Sequence, residues 1–251
     1  MKPIVLIPAR MAATRLPGKP LADIGGLPMI VRVLRQAERA GVGPVAVAAG
    51  DQVIVDVVEA AGGRAVLTDP ALPSGSDRIL AALNALDPER RHDVVINLQG
   101  DIPFADPGLV KKCAALLEEQ PDCDISTIIV AKSAPDELRN PDVVKAIVSF
   151  GANPKAARAL YFTRSTLYGD GPVWHHIGVY GYRRAALERF TAAPPSPLER
   201  REKLEQLRAL EAGMRIDIAL VDTPPLGVDT PEDLERARQM LAPRGGKHDE
   251  P

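Results

Sequence analysis

Ile4-Val5-Leu6-Ile7-Pro8-Ala9-Arg10-Met11-Ala12-Ala13-Thr14-Arg15-Leu16-Pro17-Gly18-Lys19-Pro20 carries the chain from an apolar run straight into a basic loop of small residues. A short run of Ile, Val and Leu bounded by turn formers reads as a fully buried strand. Ligands of open α/β sheets bind beyond the carboxyl ends of the strands. Arg10, Arg15 and Lys19 in the loop are therefore candidate anion-binding residues, and Pro8 and Ala9 at the strand end are candidate nucleotide-binding residues small enough for close backbone approach. Arginine grips phosphate oxygens bidentately, whereas lysine is a point charge on a flexible stem. Pro17-Gly18 supplies the turn that delivers Lys19. The competing reading is a solvated loop with scattered basic residues. Neither GxxxxGK[ST] nor GxGxxG follows the strand, so the loop is not a P-loop and an NAD-dependent enzyme is disfavoured.

Working outward, short Val- and Ile-rich runs alternate with helical periodicity. Strands are predicted at Ile4–Pro8, Val45–Ala49, Arg64–Leu67, Val94–Leu98, Ile125–Val130, Val143–Val148, Ala159–Phe162, Ile177–Tyr182 and Arg215–Leu220. Ile30, Val33, Leu34 and Ala37 form the stripe of a helix that ends at Gly41, and a second helix runs from Gln52 to Ala61 before Gly62-Gly63. Ser196-Pro197-Leu198-Glu199 and Thr230-Pro231-Glu232-Asp233 carry an N-cap, a proline in the first turn and an acidic residue to complete a capping box. The pattern predicts an α/β fold, a mostly parallel sheet flanked by helices. Val143–Tyr182 is β-rich and departs from that pattern as a hairpin or small lobe suited to oligomerisation. Residues 1–241 are expected to form one domain, and 242–251 a disordered tail.

The 251 residues suffice for a full core without staples, since a body of this size buries roughly 70% or more of its unfolded surface. Lys plus Arg number 31 against 33 Asp plus Glu, and so weak a net charge argues against nucleic acid as a partner. An anionic substrate must be caught by local cations. Cys113 and Cys123 show neither CxxC nor a His cluster, which disfavours zinc and suits a reducing cytosol. No window approaches the ~20 apolar residues of a membrane span, and the opening lacks a signal-peptide pattern, so a cytoplasmic location is expected.

Asn97-Leu98-Gln99-Gly100-Asp101 closes another apolar strand. A carboxylate displayed there, beside a glycine that permits close approach, suits Mg²⁺ facing a triphosphate. The alternative, a helix cap, is weakened because Asp106 before Pro107 already serves the next helix. Asp229, in Gly227-Val228-Asp229-Thr230-Pro231, would either favour the following helix terminus or share a hard cation with Asp101. Ser74-Gly75-Ser76-Asp77-Arg78 opens a helix through Ile79, Leu80 and Leu83, whose free N–H groups suit a nucleotide. Arg78 would otherwise be an ordinary surface residue. In His175-His176, neighbours on a strand point to opposite faces, so at most one faces a site. Glu205 and Gln206 fall in a predicted helix, Leu204–Ala212, where a solvated polar face is the default.

Together these pieces resemble the 3-deoxy-manno-octulosonate (Kdo) cytidylyltransferases. The matching text is IPARMAATRLPGKPL (Ile7–Leu21), PMIVRVL (Pro28–Leu34), VEAAGG (Val58–Gly63), SGSDR, NLQGD, LYFTRS (Leu160–Ser165), HHIGVYGYR (His175–Arg183), PSPLE with EKLEQLRALE (Pro195–Glu211) and GVDTPEDLERAR (Gly227–Arg238). They occur in family order along nearly the whole chain. The resemblance implies a Rossmann-like nucleotidyltransferase fold, a homodimer, Mg²⁺ as cofactor, and reaction of CTP with Kdo to give CMP-Kdo and pyrophosphate for lipopolysaccharide synthesis. It places Arg10, Arg15 and Lys19 on the triphosphate, Asp101 and Asp229 on Mg²⁺, and Ser74, Gly75 and Arg78 along the nucleotide. Gln99, Arg164, His176, Tyr180, Glu205 and Gln206 would line the sugar pocket. Three departures stand out: Ile102 replaces an acidic residue after Asp101, Ala49-Gly50-Asp51 replaces a Thr-Asp pair, and Thr166–Val173 is short. The rivals are a synthetase for a sialic or related nonulosonic acid or amino-Kdo, and a nucleotide-binding protein without turnover.

Overall fold

The computed structural model describes residues 1–12, 15–132, 139–151, 156–166 and 172–241. In chain order the first half contains β1 (Pro3–Ala9), a 3-10 turn (Lys19–Leu21), β2 (Asp23–Ile24), β3 (Leu27–Pro28), α1 (Met29–Ala40), β4 (Val45–Ala49), α2 (Gln52–Ala60), β5 (Ala65–Leu67), α3 (Gly75–Leu86), β6 (Val94–Asn97) and α4 (Pro107–Glu119). There follow β7 (Ile125–Lys132), β8 (Lys145–Phe150), β9 (Ala156–Thr163), β10 (Val173–Arg183), α5 (Arg184–Ala192), α6 (Pro197–Glu202), α7 (Leu207–Glu211), β11 (Ile216–Val221) and α8 (Pro231–Gln239).

Nine strands form one sheet in the order β5-β4-β1-β6-β10-β7-β11-β9-β8. Following the pairings across it, only β10 and β9 run against the common direction. The apolar run of β1 is continuous because both of its faces are covered. Val5 and Ile7 pack with Ile30 and Leu34 of α1, Ile54 of α2 and Leu109 of α4, while Ile4 and Leu6 pack with Ile79 and Leu83 of α3 and Leu187 of α5. Each such side chain removed from water stabilises the fold by about 1.5–3 kcal/mol. The β-rich segment departs from the parallel pattern as expected, but inside the same sheet: β8 and β9 form an outer hairpin, and β10 returns between β6 and β7.

The expected helix signals operate. Gly41 ends α1 with φ 62°, and both capping boxes form, Ser196 with Glu199 and Thr230 with Asp233. Asp106 caps α4 through the Gly108 amide at 2.7 Å. One helix is shorter than its pattern. Lys203 adopts the left-handed conformation, φ 56°, at the end of α6, so the chain turns before re-entering a helix at Leu207. Glu205 and Gln206 therefore stand in a turn rather than on a helix face.

A third apolar cluster positions the C-terminal motif. Leu234 and Ala237 of α8 and Val228 pack on Ile24 and Met29, with Leu16 and Phe104 against them. That contact brings the Asp229 loop over the basic loop after β1. The expected tail, 242–251, lies outside the described residues.

Candidate active site

A cleft of about 380 Å³ opens at the carboxyl ends of β1 and β6. Every residue assigned to the nucleotide lines it: Pro8, Ala9, Arg10, Arg15, Lys19, Ser74, Gly75, Arg78 and Asp101. Gln99 and Asp229 complete the same wall. The basic loop is shaped by Gly18, whose φ of 69° is readily accessible to glycine, and by the Lys19 amide bonding to the Leu16 carbonyl at 3.1 Å. The turn aims Lys19 inward while Arg10 and Arg15 stay exposed to an incoming anion.

Residues far apart in sequence converge there. The Lys19 ammonium lies 2.9 Å from Asp101 Oδ2 and 2.9 Å from Asp229 Oδ1, and Arg15 approaches Asp229 Oδ2 at 3.2 Å. The Val228 amide donates to the Asp101 carbonyl at 2.8 Å, which ties the two acidic loops together. Burial works to lower the Lys19 pKa, but Asp101 and Asp229 outweigh it and hold it above the usual lysine range. The Asp229 carboxylate is not spent on the helix terminus. Thr230 caps α8, and Asp233 receives the Asp229 amide at 3.1 Å. Two carboxylates that already share one cation can share another, and Mg²⁺ is typically held by one or two carboxylates with substrate phosphates and water completing its shell. Among the described residues no group of three or more His, Cys, Asp and Glu is placed to hold a metal unaided.

Gly100 is needed for close approach: a Cβ there would stand 2.9 Å from the Pro8 carbonyl oxygen. We expect Gly100→Ala to push the Asp101 loop off β1 and lower kcat/KM for the nucleotide about tenfold, a loss of about 1.4 kcal/mol in transition-state stabilisation. Steady-state kinetics alongside circular dichroism check this, and unchanged kinetics would show that the loop tolerates the shift.

Arg78 is a buried residue, not a surface one. Its Nη1 donates to Thr68 Oγ1 at 2.6 Å and to the Asp69 carbonyl at 3.2 Å, and it passes so close to Gly50 that a Cβ there would lie 2.7 Å from Nη1. Burial lowers its pKa, with Arg10 adding to the effect. Asp51 accepts the Met11 amide at 2.8 Å and so anchors the start of the basic loop. Ile102 joins the apolar core, which explains how an aliphatic residue is accommodated beside Asp101.

The residues assigned to the sugar divide. Gln99 bonds Asn97 at 3.2 Å and sits against Gly178 of β10, which connects the cleft to the β10 row. On that row His176 Nε2 lies 2.9 Å from Thr127 Oγ1 and its ring 5.4 Å from Tyr180. Glu205 accepts from Ser76 Oγ at 2.9 Å, beside the nucleotide helix α3, and Gln206 is buried before α7. Burial raises the Glu205 pKa, while hydrogen bonds from Ser74 and Ser76 pull the other way. Of these six residues only Gln99 lines the cleft itself; His176, Tyr180, Glu205 and Gln206 do not, and Arg164 is turned elsewhere, its Nη1 donating to the Pro141 carbonyl at 3.0 Å. Most of the short segment Thr166–Val173 lies outside the described residues. Sequence reasoning missed Ser76 and Thr127 as supports of Glu205 and His176. Ser76 was legible within SGSDR as a second hydroxyl in the first turn of α3, whereas nothing local marked Thr127.

Burial, with His175 adding, pushes the His176 pKa down from 6.5 to about 3. The folded imidazole refuses a proton that the unfolded chain accepts below pH 6.5. Its contribution to stability is thus complete above pH 6.5 and declines as pH falls toward 3, by up to about 1.4 kcal/mol per pH unit. Urea unfolding at pH 7.5 and pH 5 should show a smaller acid loss for His176→Gln than for the parent. Equal losses would mean that His176 titrates normally in the folded protein.

A basic loop facing paired carboxylates across the carboxyl ends of parallel strands β1 and β6 defines an α/β nucleotide-binding protein arranged for chemistry at phosphorus. A family model described as Cytidylyltransferase matches residues 4–216. The 3-deoxy-manno-octulosonate cytidylyltransferase of Parvibaculum lavamentivorans is 62% identical over 96% of this chain and 93% of its own length. That of Rhodospirillum rubrum is 59% identical over 95% of each. A solved structure of CMP:2-keto-3-deoxy-manno-octonic acid synthetase complexed with CTP superposes with a TM-score of 0.88 at 37% identity, covering 96% of this chain and 99% of that one. The chain belongs to the cytidylyltransferase family, in the group of the 3-deoxy-manno-octulosonate enzymes.

Proposed function

We propose that the protein transfers the cytidylyl group of CTP to Kdo, releasing pyrophosphate and forming CMP-Kdo, the activated sugar for lipopolysaccharide synthesis. The observation that carries this reading is the convergence of Arg15, Lys19, Asp101 and Asp229 at one end of a cleft whose other wall is the N-terminus of α3. The relatives named for this reaction support it.

In this reading the triphosphate lies against Arg10, Arg15 and Lys19, with the nucleoside along Ser74, Gly75 and Arg78. CTP and Kdo are both anions, so bringing them together costs Coulomb repulsion that these cations offset. The anomeric hydroxyl attacks the α-phosphorus and releases its proton to solvent, the bond from the α-phosphorus to the oxygen bridging to the β-phosphate breaks, and pyrophosphate leaves with the electron pair. Positioning and charge neutralisation dominate such a step. Lys19 and Arg15 stabilise charge growing on the departing pyrophosphate. Asp101 and Asp229 would hold Mg²⁺ together with phosphate oxygens, and the ion would supply Lewis-acid polarisation of the phosphate.

Gln99, His176, Tyr180, Glu205 and Gln206 take the sugar's hydroxyls, with neutral His176 fixed by Thr127. Arg164 pairs with the Kdo carboxylate after leaving the Pro141 carbonyl. Arg164→Ala is then expected to raise KM for Kdo at least tenfold while CTP affinity by calorimetry stays within twofold, roughly the value of a partly exposed bidentate pair. Loss of CTP binding with normal Kdo saturation would move Arg164 to the nucleotide side.

No helix among the described residues is long and apolar enough to cross a membrane. We place the enzyme in the cytoplasm, where its buried free Cys113 and Cys123 stay reduced, and take residues 1–241 as one domain. We assign homodimerisation to the outer β8–β9 hairpin, where Leu160 is 55% exposed. Pyrophosphate release from each of the four nucleoside triphosphates, with Kdo, amino-Kdo or a sialic acid as acceptor, tests the reading. Release with CTP and Kdo alone is expected, and preference for another pair would replace it.

A further inference from the structure

The Lys19 ammonium stands between the two carboxylates that would hold a divalent ion. We propose that Lys19 is a resident counter-cation that keeps divalent metal off Asp101 and Asp229 until nucleotide phosphate draws it away, so that metal and nucleotide bind as strongly coupled partners. The inference rests on the cytidylyltransferase reading only for the identity of the nucleotide.

The charges of Lys19 and Arg15 balance those of Asp101 and Asp229, and all four are in ion-pair contact. The Lys19 side chain is only 18% exposed, so its pairing is screened less than that of a surface lysine. A dication arriving alone must either displace the ammonium, which among the described residues is ion-paired only with Asp101 and Asp229, or sit beside it and be repelled. A triphosphate changes both terms. It offers oxygens to Lys19 and Arg15, and it contributes ligands to the metal that takes their place.

Little else need move. The backbone of Lys19 is pinned in its 3-10 turn, where the Ala22 amide donates to the Lys19 carbonyl at 3.1 Å, and the two acidic loops are tied through Val228 and Asp101. Only side chains have to swing, the four-carbon stem of Lys19 and the exposed guanidinium of Arg15. By linkage, each ligand must then raise the other's affinity by the same factor.

The test uses Mn²⁺ alone as the probe, with free ion read by electron paramagnetic resonance and no acceptor sugar present. The parent protein is expected to bind Mn²⁺ poorly without nucleotide. Lys19→Met and Lys19→Gln, checked for folding by thermal melting, should bind it at least about tenfold more tightly, since each removes a unit charge a few ångströms away. Asp229→Asn in the Lys19→Met background should abolish the gain. Tight Mn²⁺ binding by the nucleotide-free parent would overturn the proposal whether or not the variants fold, as would unchanged affinity in the variants. The readouts are separable from turnover. If the variants show the gain but the parent makes no CMP-Kdo, the functional reading alone fails, and an active parent whose variants lack the gain fails this inference alone.

Discussion

Asp101→Asn and Asp229→Asn are each expected to lower turnover by about a hundredfold or more while leaving the fold intact. That factor corresponds to about 2.7 kcal/mol of transition-state stabilisation. The two carboxylates reach one cation from loops far apart in the chain, with Lys19 at 2.9 Å from each. Replacing either by an amide removes half of the negative charge available to a shared metal without changing shape. The fold should survive because these carboxylates are 31% and 42% exposed, and the neighbouring caps belong to Asp106, Thr230 and Asp233. Turnover numbers at saturating Mg²⁺, with far-ultraviolet circular dichroism for folding, decide the matter. A near-normal rate for Asp229→Asn would reduce that residue to favouring the start of α8.

Lys19→Ala is expected to lower the turnover number by about 10²–10³ and to change CTP affinity far less. Interactions that strengthen in the transition state accelerate chemistry, whereas equal binding of substrate and transition state does not. In the structure Lys19 already has two anionic partners, so moving it onto the ground-state triphosphate exchanges one set of ion pairs for another. Net gain appears only as charge builds on the leaving pyrophosphate. Single-turnover kinetics beside calorimetric CTP titration separate the two effects. Weakened CTP binding with an unchanged turnover number would leave Lys19 a capture residue only.

Much of this architecture was visible in the sequence. All nine predicted strands exist, because runs such as Ile4–Ile7 and Val94–Ile96 are buried on both faces and carry no polar interruptions. The pair β2–β3 escaped notice because two-residue strands around Gly25-Gly26 leave no period to read. The position of β10 between β6 and β7 was equally hidden, since alternation reports burial but not the neighbouring strand. Helix α5 follows β10 directly, without a break in the pattern to announce it.

For the site, the nucleotide side was the more legible because its chemistry is local. Pro8 through Lys19 form one loop, and Ser74 through Arg78 one helix start. The acceptor side depends on longer-range contacts. Glu205 is placed by Ser76, and both the turn at Lys203 and the shortened α7 altered the expected helical setting of Glu205 and Gln206. Arg164 is engaged with Pro141, a contact that no motif foretells.

The central claim is transfer at the α-phosphorus of CTP to Kdo, and phosphorus-31 nuclear magnetic resonance of the reaction mixture follows it directly. With protein, CTP, Kdo and Mg²⁺, the three CTP signals should decline together while one phosphodiester resonance and pyrophosphate grow in equal amounts. No signal of CDP or inorganic phosphate should accompany them. Formation of CDP with inorganic phosphate, or loss of CTP at the same rate without Kdo, would contradict the account.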